Sequence, residues 1–507
     1  GGFFMERRDF IKMAVMAPLA GKVLLDLEPA GARGIPGGAF PGTPKERCYP
    51  GPPEGVVRTT LQELFKVGPG PSSSHTLAPI RMANDFRQAM ETLPVETMEK
   101  GTRLEARLFG SLSATGKGHR TDRAIMAGLL GQKPETCDSA LMDDLANASK
   151  LHGVSIRSQA FQLSCADTIV WDRVEHDFPF ANTAVFRLLD ANGGELFSRE
   201  YYSIGGGFFS WKGQGAAQRG EPAFRYGNMT EFKKVAETSG KSLAQIMLAN
   251  EMAIRQVGEK EVWAHLDMVL DAMDAGVQQG LREEGLVPAP FEFYRKAKTI
   301  YDKAAQAPAP ERFLEQLSSY ALAVSEGNAA GRLAVTAPTL GSAGTLPAVA
   351  YVLRHHLNAS RQQLRQGLLA AGLVGLLCKT NASVAGAEVG CQGEIGVASS
   401  MAAAMAAEAT GQSLAVTEIA AAMALEHHLG MSCDPVGGFV LIPCIERNAF
   451  GAVKAYNAFL IAKSEMAARH WEDLDRVISA MLETGKALPQ AFKEMGTAGL
   501  GVTMVDC

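Results

Sequence analysis

Apolar residues recur at helical spacing through most of the second half of the chain. From about Ser242 onward, segments such as SLAQIMLANEMAIRQVG and VASSMAAAMAAEATG place apolar side chains on one face of a helix. Alanine and glycine are abundant in the chain, whereas aromatic residues make up only 7% of it. Small side chains allow helices to pack closely, so we predict an all-helical domain over residues 240–507.

Residues 57–222 have a different pattern, typical of a mixed α/β domain. The segment LEARLFGSL alternates like a strand, and GKGHRTDRAIMAGLLG turns into a helix. Two alternating runs flank Asn192-Gly193-Gly194, which predicts a β-hairpin. The segment GQGAAQRGEPAFRYGNMTEF has the composition of a linker. The fold class expected is therefore α+β, with an N-terminal α/β domain followed by the all-helical domain.

Composition excludes several classes of protein. The 507 residues carry a formal net charge of −5 and no long basic run, so nucleic acid is not an expected partner. After the N-terminal segment, no charge-free apolar run is long enough to predict stable membrane insertion. Eight cysteines without a CxxC pair do not indicate a disulfide scaffold in so long a chain.

Residues 1–56 resemble an export leader followed by a linker. Arg7 and Arg8 are adjacent and precede a weakly apolar stretch, as in a twin-arginine signal. The small residues Ala30-Gly31-Ala32 would suit cleavage, and the following Pro/Gly-rich segment would suit a linker. We expect export to the periplasm. The alternatives are a surface amphipathic helix with a chance arginine pair, and a cytoplasmic location.

Four cysteines in the last quarter of the chain are candidate metal ligands: Cys391, Cys433, Cys444 and the terminal Cys507. The first three lie in Gly-rich segments punctuated by polar residues. Thiolates gathered from distant loops suit a soft metal centre, and four would suit an iron–sulfur cluster. Their spacing matches no short ligand motif, so the residues alone indicate a metal only in general terms. Cys378 lies in an apolar helical run and is predicted to be a core residue.

The segment GPGPSSSHTLAPIRMANDF predicts a helix N-terminus that could bind an anion. Ser72, Ser73, Ser74 and Thr76 would hold a substrate carboxylate, and His75 would act as a general base. The alternative is a plain helix cap with a solvent-facing histidine.

Two other motifs carry polar residues among glycines. GKGHRTDRA places Lys117 and His119 on a turn, either near an active site or only opening a helix. NASVAGAEVGCQGEIG places Asn381 and Ser383 shortly before Cys391. We take all four polar residues as candidate site residues.

These motifs together, with YYSIGGG, CDPVGG and IPCIERNAFGAVKA, resemble the iron–sulfur-dependent L-serine dehydratases in their single-chain form. The resemblance runs from about residue 59 to Cys507. It implies a [4Fe-4S] cluster held by Cys391, Cys433 and Cys444, with Cys507 as a displaceable fourth ligand. It also implies a homodimer, a regulatory-like N-terminal domain similar to one in phosphoglycerate dehydrogenases, and a helical catalytic domain.

The activity implied by the resemblance is the conversion of L-serine to pyruvate and ammonia, in amino-acid catabolism and gluconeogenesis. An open iron would act as a Lewis acid on the substrate hydroxyl. His75 would take the Cα proton, with Lys117 and His119 as further catalytic candidates. The hydroxyls of the SSSHT segment, together with Asn381 and Ser383, would bind the amino acid. Pyridoxal phosphate is not expected, because no lysine lies in a recognisable Schiff-base context.

Three positions depart from the family pattern: Leu340 in TAPTLGS, Ala181 in FPFANTA and Gly327 in SEGNA. They motivate an alternative in which the substrate is a related amino acid such as cysteine or threonine. A further alternative is a non-catalytic iron–sulfur sensor of amino acids.

Overall fold

The computed structural model describes residues 55–157, 159–174, 176–215, 219–289, 291–465 and 473–504. Almost all of the leader predicted for residues 1–56, and also Cys507, therefore lie outside the described residues.

The strands and helices are numbered here in chain order. The strands are β1 (Val67–Pro69), β2 (Arg103–Leu108), β3 (His152–Ile156), β4 (Gln159–Leu163), β5 (Ile169–Trp171), β6 (Thr183–Leu189), β7 (Glu195–Ser203), β8 (Phe209–Trp211) and β9 (Leu333–Val335). The helices are α1 (Leu61–Leu64), α2 (Ala78–Glu91), α3 (Val95–Lys100), α4 (Gly110–Ala114), α5 (Thr121–Leu129), α6 (Ser139–Asp144), α7 (Cys165–Thr168), α8 (Met229–Ser239), α9 (Leu243–Arg255), α10 (Glu259–Gly280), α11 (Ala297–Ala304), α12 (Ala309–Ala329), α13 (Thr345–His355), α14 (Arg361–Asn381), α15 (Gly386–Val389), α16 (Ile395–Ala409), α17 (Leu414–Glu426), α18 (Cys444–Ser464), α19 (Leu474–Ala487) and α20 (Leu500–Thr503). A π-helical turn covers Ser73–Leu77, and short 3₁₀ turns cover Pro134–Thr136, Gly390–Gly393, Val436–Gly438 and Gln490–Phe492.

A five-stranded sheet in the order β5-β2-β6-β7-β8 forms the centre of the N-terminal part. Strand β2 runs parallel to β5 and antiparallel to β6, with Ala106 opposite Phe186. Helices α2 and α5 pack against each other, and α2 also contacts β7. This packing brings the SSSHT segment, which leads into α2, close to the GKGHRTDRA segment, which leads into α5.

The predicted hairpin is confirmed, and one predicted strand is shorter than its sequence pattern. Strands β6 and β7 pair antiparallel around the predicted turn, where Gly193 has a φ of 83°. The LEARLFGSL segment is extended only as far as Leu108, and α4 begins two residues later. Gly110 has a φ of 55°, and a Cβ there would lie 1.9 Å from the carbonyl oxygen of Ala181, so the chain turns where only glycine fits.

Helix α16 forms the centre of the C-terminal part. Every residue of α16 except Glu408 is buried, and the helix contacts α13, α14, α17 and α18. Its many alanines permit this close packing on all sides, as the composition predicts. Cys378 is fully buried in α14, as expected for a core residue.

The C-terminal part differs from the all-helical prediction at one strand. Strand β9 pairs antiparallel with β1, with Val335 opposite Val67. Three residues of extended chain carry no periodic signal, and their pairing depends on a strand more than two hundred residues away. The pairing fixes the segment after α12 beside the segment that leads into SSSHT.

The described residues belong to one compact unit that begins at Pro52. Within the described ranges, no single helix is long and apolar enough to cross a membrane, although the bent pair of Arg361–Asn381 with Gly386–Gly393 passes that test on length and composition.

Candidate active site

Three of the four candidate cysteines lie together in the structure. Cys391 is in the 3₁₀ turn before α16, Cys433 is in the loop after α17, and Cys444 is the first residue of α18. All three are buried and line one small cavity. The turn that carries Cys391 requires Gly390, which has a φ of 73° and would clash with the carbonyl oxygen of Met431 if it carried a Cβ.

The donor atoms around this cavity suit a metal centre. The sulfur atoms of Cys391 and Cys433 and a carboxylate oxygen of Glu394 all lie within 4.8 Å of one another, and such a group could hold a metal ion. The pKa of the Cys433 thiol is raised well above its usual value by its hydrogen bond with Cys391 and by burial. Burial also raises the pKa of Cys444. Buried thiols without a cation therefore remain protonated, whereas a soft cation would bind them as thiolates.

Two glycines leave space beside these donors. A Cβ on Gly386 would lie 2.8 Å from Oε2 of Glu394 and 3.3 Å from the sulfur of Cys433. A Cβ on Gly341 would lie 3.0 Å from Oε1 of the same glutamate. These positions leave room around the carboxylate and the thiol that any larger side chain would fill, so the residues present fit a bound metal centre.

A second cavity of about 240 Å³ adjoins the thiol cavity. The residues that line both cavities are Ser72, Glu394 and Glu494. The walls of the second cavity come from the SSSHT segment, the loop before β6, the Gly-rich turn after β7 and the segment from Val384 to Glu388. Both the N-terminal and the C-terminal parts of the chain therefore build one site.

The three serines of SSSHT line the second cavity. Ser72 Oγ accepts a hydrogen bond from the backbone N–H of His75 at 3.2 Å. Ser73 Oγ accepts one from the N–H of Leu340 at 2.6 Å. The bond from Leu340 uses only the oxygen of Ser73, so the hydroxyl hydrogen of Ser73 remains available for a ligand. Ser72 Oγ also lies 3.3 Å from Ser74 Oγ, where either hydroxyl can donate.

Four other predicted site residues are not among the residues that line the two described cavities. Thr76 donates its hydroxyl to the backbone carbonyl of His119 at 2.7 Å and is fully buried. Lys117 is exposed, with its ammonium 5.6 Å from the centre of the Trp171 ring. Asn381 donates to the Gly227 carbonyl at 2.8 Å, and Ser383 caps the turn that begins at Ala385.

The two histidines differ in their access to the site. His75 is fully buried, and its ring nitrogens contact hydroxyls: Nδ1 lies 2.8 Å from Ser74 Oγ, and Nε2 lies 3.1 Å from both Ser111 and Thr115. His119 lines the thiol cavity, and its ring centre is 4.6 Å from that of His75. Burial lowers the pKa of His75 to about 4 and that of His119 to about 3, so both rings are neutral near pH 7.

The tautomer of His119 follows from its hydrogen bond. Its Nδ1 lies 3.0 Å from the carbonyl oxygen of Thr115, which can only accept, so Nδ1 carries the hydrogen. Nε2 then carries a lone pair, and no partner for it is found within the described residues.

Two glutamates occupy the junction of the cavities, and sequence reasoning assigned neither of them a role. Glu394 accepts a hydrogen bond from Thr339 at 2.7 Å, and Glu494 accepts one from Ser74 at 3.2 Å. Burial raises the pKa of both carboxyls, and the nearby Glu494 raises that of Glu394 further. The QGEIG motif gave a signal for Glu394, three residues after Cys391. Glu494 gave none, because it meets Ser74 only through the fold.

The C-terminal segment is fixed against the Cys433 loop. The N–H of Cys433 donates to the Phe492 carbonyl at 2.7 Å, and the N–H of Glu494 donates to the Cys433 carbonyl at 2.6 Å. Further on, the N–H of Leu500 donates to Oδ2 of Asp434 at 2.8 Å. These bonds place Glu494 in the site and hold α20 close to it.

The three departures from the family pattern have distinct surroundings. Leu340 is buried, and its backbone N–H and carbonyl bond to Ser73 and Asn328. Ala181 lines the second cavity. Gly327 is buried in α12 and has free space beside it, since among the described residues a Cβ would approach only Arg332, at 3.9 Å. Of the three, only the side chain of Ala181 faces the second cavity.

Comparison with known proteins gives matches along most of the chain. The family model described as "Serine dehydratase beta chain" matches residues 60–214, and "Serine dehydratase alpha chain" matches residues 238–501. An L-serine dehydratase of Haemophilus influenzae is 39% identical over 459 residues, which cover 87% of this chain and 98% of that protein. One from Streptomyces coelicolor is 39% identical over 457 residues, covering 88% and 99%. One from Helicobacter pylori is 32% identical over 463 residues, covering 88% and 99%. The chain therefore belongs to the serine dehydratase family.

Proposed function

We propose that this protein is an L-serine dehydratase, which converts L-serine to pyruvate and ammonia. The observation that carries the proposal is the junction of a thiol-lined cavity with a hydroxyl-lined cavity at Ser72, Glu394 and Glu494. A substrate held by the hydroxyls would have its reactive carbons next to the thiols. The names of the relatives support the same reaction.

We propose that Cys391, Cys433 and Cys444 hold a [4Fe-4S] cluster. When bound, the cluster would supply an open iron that acts as a Lewis acid on the substrate hydroxyl, which is otherwise a poor leaving group. Cys507 is the proposed fourth, displaceable ligand. Its support is the family resemblance and the position of α20, which bonds through Leu500 to Asp434, the neighbour of Cys433.

The serine hydroxyls bind the substrate carboxylate in this proposal. Ser73 accepts a backbone hydrogen bond, so its O–H group donates to the carboxylate, and Ser72 donates to it by exchanging its contact with Ser74 for one with the substrate. Both side chains are buried, and their positions are fixed by the π-helical turn and by the Leu340 segment. A fixed carboxylate orients the Cα–H bond and the β-hydroxyl toward the groups that react with them.

We assign the removal of the Cα proton to a histidine. Sequence reasoning placed this role on His75, and that assignment stays a prediction. His119 has the better position, because it lines the thiol cavity and presents the lone pair of Nε2. His75 contacts hydroxyls through both nitrogens, and its ring adjoins that of His119, so it would orient His119 and Ser74.

The proton needed by the departing hydroxyl comes from a carboxyl group in this proposal. Glu394 and Glu494 both line the junction, and a protonated carboxyl donates a hydrogen bond to an oxygen nearby. Burial excludes bulk water from the reacting atoms. The enamine product then tautomerises to an imine, and water hydrolyses it to pyruvate and ammonia.

Anaerobic purification followed by iron, sulfide and pyruvate assays tests the proposal. We expect iron and acid-labile sulfide in the protein, and pyruvate formed from L-serine faster than from L-threonine or L-cysteine. Faster turnover of threonine or cysteine would support the alternative substrates. A loaded cluster with amino-acid binding but no turnover would indicate a sensor and would refute the enzymatic proposal.

The histidine assignment is tested with matched substitutions. His119→Asn is expected to lower kcat by at least about 100-fold, as expected for loss of a general base. His75→Asn is expected to cause a smaller loss, because it removes only a positioning group. The reverse order of effects would return the role of base to His75.

Two assignments extend beyond the site. We propose that the protein forms a homodimer, which measurement of the mass in solution tests. We also propose that residues 1–56 direct export. Fractionation of cells that express the chain with and without Arg7 and Arg8 tests this proposal.

A further inference from the structure

One side chain in the second cavity has a polar atom that no described residue satisfies. Asn182 lines this cavity and is only 6% exposed. Its Oδ1 atom is buried and has no hydrogen-bond partner in the described part of the chain. A buried amide oxygen without a partner costs free energy, so its retention at a cavity wall points to a ligand that donates to it.

The backbone holds Asn182 firmly in this position. The carbonyl of Asn182 accepts a hydrogen bond from the N–H of Ser203 at 2.9 Å. The next residue, Thr183, donates its hydroxyl to the Phe180 carbonyl at 2.7 Å and begins β6. The carbonyl of Ala181 lies against Gly110, where no side chain would fit. The amide is therefore fixed by the sheet of the N-terminal part.

The rest of the cavity complements this oxygen. Ser73 offers a hydroxyl hydrogen, and Ser72 can exchange its contact with Ser74 for one with a ligand, which suits a carboxylate. The Oδ1 atom of Asn182 is an acceptor, which suits the ammonium group of the same molecule. The exposed carboxylate of Glu388 also lines the cavity, so a cation is favoured within it.

We propose that Asn182 is a specificity-determining residue that binds the α-ammonium group of the amino-acid substrate through Oδ1. The inference rests on the proposed function, because it concerns the same cavity. It assigns recognition of the amino group to the N-terminal part of the chain, while the thiols of the C-terminal part lie at the reacting end. The N-terminal part thereby distinguishes an α-amino acid from a hydroxy acid of the same size.

The test compares two ligands on the intact holoenzyme, L-serine and 3-hydroxypropanoate, which keeps the carboxylate and hydroxyl but lacks the amino group. Dissociation constants are measured for the wild type, Asn182→Leu and Asn182→Asp. A hydrogen bond to a charged group accounts for about a 10- to 100-fold change in affinity. We expect Asn182→Leu to weaken serine binding by that factor and to leave 3-hydroxypropanoate binding within about threefold. Asn182→Asp keeps the acceptor, so it should bind serine as well as the wild type does.

Equal weakening of both ligands by Asn182→Leu would overturn the inference, because a structural role affects both. Weaker binding of both ligands to Asn182→Asp would also overturn it, because a carboxylate there would be repelling the ligand carboxylate. Wild-type protein that forms no pyruvate would refute the proposed function separately. In that case the same comparison is made with L-threonine and L-cysteine and their deamino analogues, and equal affinity within each pair would overturn the inference.

Discussion

Replacement of Gly386 by alanine places one methyl group between the two cavities. The new Cβ would lie 2.8 Å from Oε2 of Glu394 and 3.3 Å from the sulfur of Cys433. The first distance is too short for a carbon–oxygen contact, so the carboxylate or the helix turn must move. Inserting a methylene into a packed site typically costs about 1–3 kcal/mol. We expect this cost to appear either as lower stability of the protein or as displacement of the groups around the metal centre. Because the contacts are with the proposed metal and proton-transfer groups, we expect the loss to appear mainly in turnover.

The assay measures kcat for serine, iron content and thermal unfolding for Gly386→Ala beside Gly215→Ala. Gly215 is a matched control because no atom of the described residues lies within 4 Å of a Cβ built there. We expect Gly386→Ala to lower kcat or iron content at least about tenfold, as a change of about 1.4 kcal/mol gives. Wild-type kcat and iron content in Gly386→Ala would refute the reasoning that this space belongs to the active site.

Two further changes test the scaffold around the site. Asn448 is buried; its side chain accepts a hydrogen bond from the N–H of Gly344 at 2.9 Å and donates one to the carbonyl of Cys444 at 2.9 Å. Asn448→Ala should therefore lower the free energy of unfolding, measured by urea denaturation, by about 2–4 kcal/mol. An unchanged denaturation midpoint would contradict this expectation. Burial raises the pKa of Glu408 in α16 to about 7, so the folded state retains a proton that the unfolded state releases above its ordinary pKa of 4.5. Stability is therefore lost as the pH rises from about 4.5 to 7. Glu408→Gln should raise the free energy of unfolding by about 1–3 kcal/mol at pH 8, and Tm with it, but should raise neither at pH 4.5. A Tm difference independent of pH would contradict the raised pKa of Glu408.

Local chemistry explains which features of this fold are predictable from the sequence. The hairpin at Gly193 follows from residues that favour a positive φ, and α16 follows from its run of small apolar residues. Ser72 is recognisable as a helix cap because the capping bond to His75 spans only three residues. In each case the stabilising contacts are near in sequence.

Long-range contacts explain what the sequence does not reveal. Glu494 meets Ser74 across 420 residues, and β9 pairs with β1 across more than two hundred residues. The orphan oxygen of Asn182 depends on what surrounds it, which no local pattern specifies. The grouping of Cys391, Cys433 and Cys444 was predicted through the family resemblance, since their spacing matches no ligand motif.

We propose that three buried cysteines hold the iron–sulfur cluster on which serine dehydration depends. Iron, sulfide and pyruvate are measured for Cys433→Ser and Cys444→Ser beside Cys378→Ala, a buried cysteine in α14 that is not among those lining the two cavities. We predict that both serine variants lose iron and turnover together while Cys378→Ala keeps both. Full iron content and kcat in either serine variant would contradict the account.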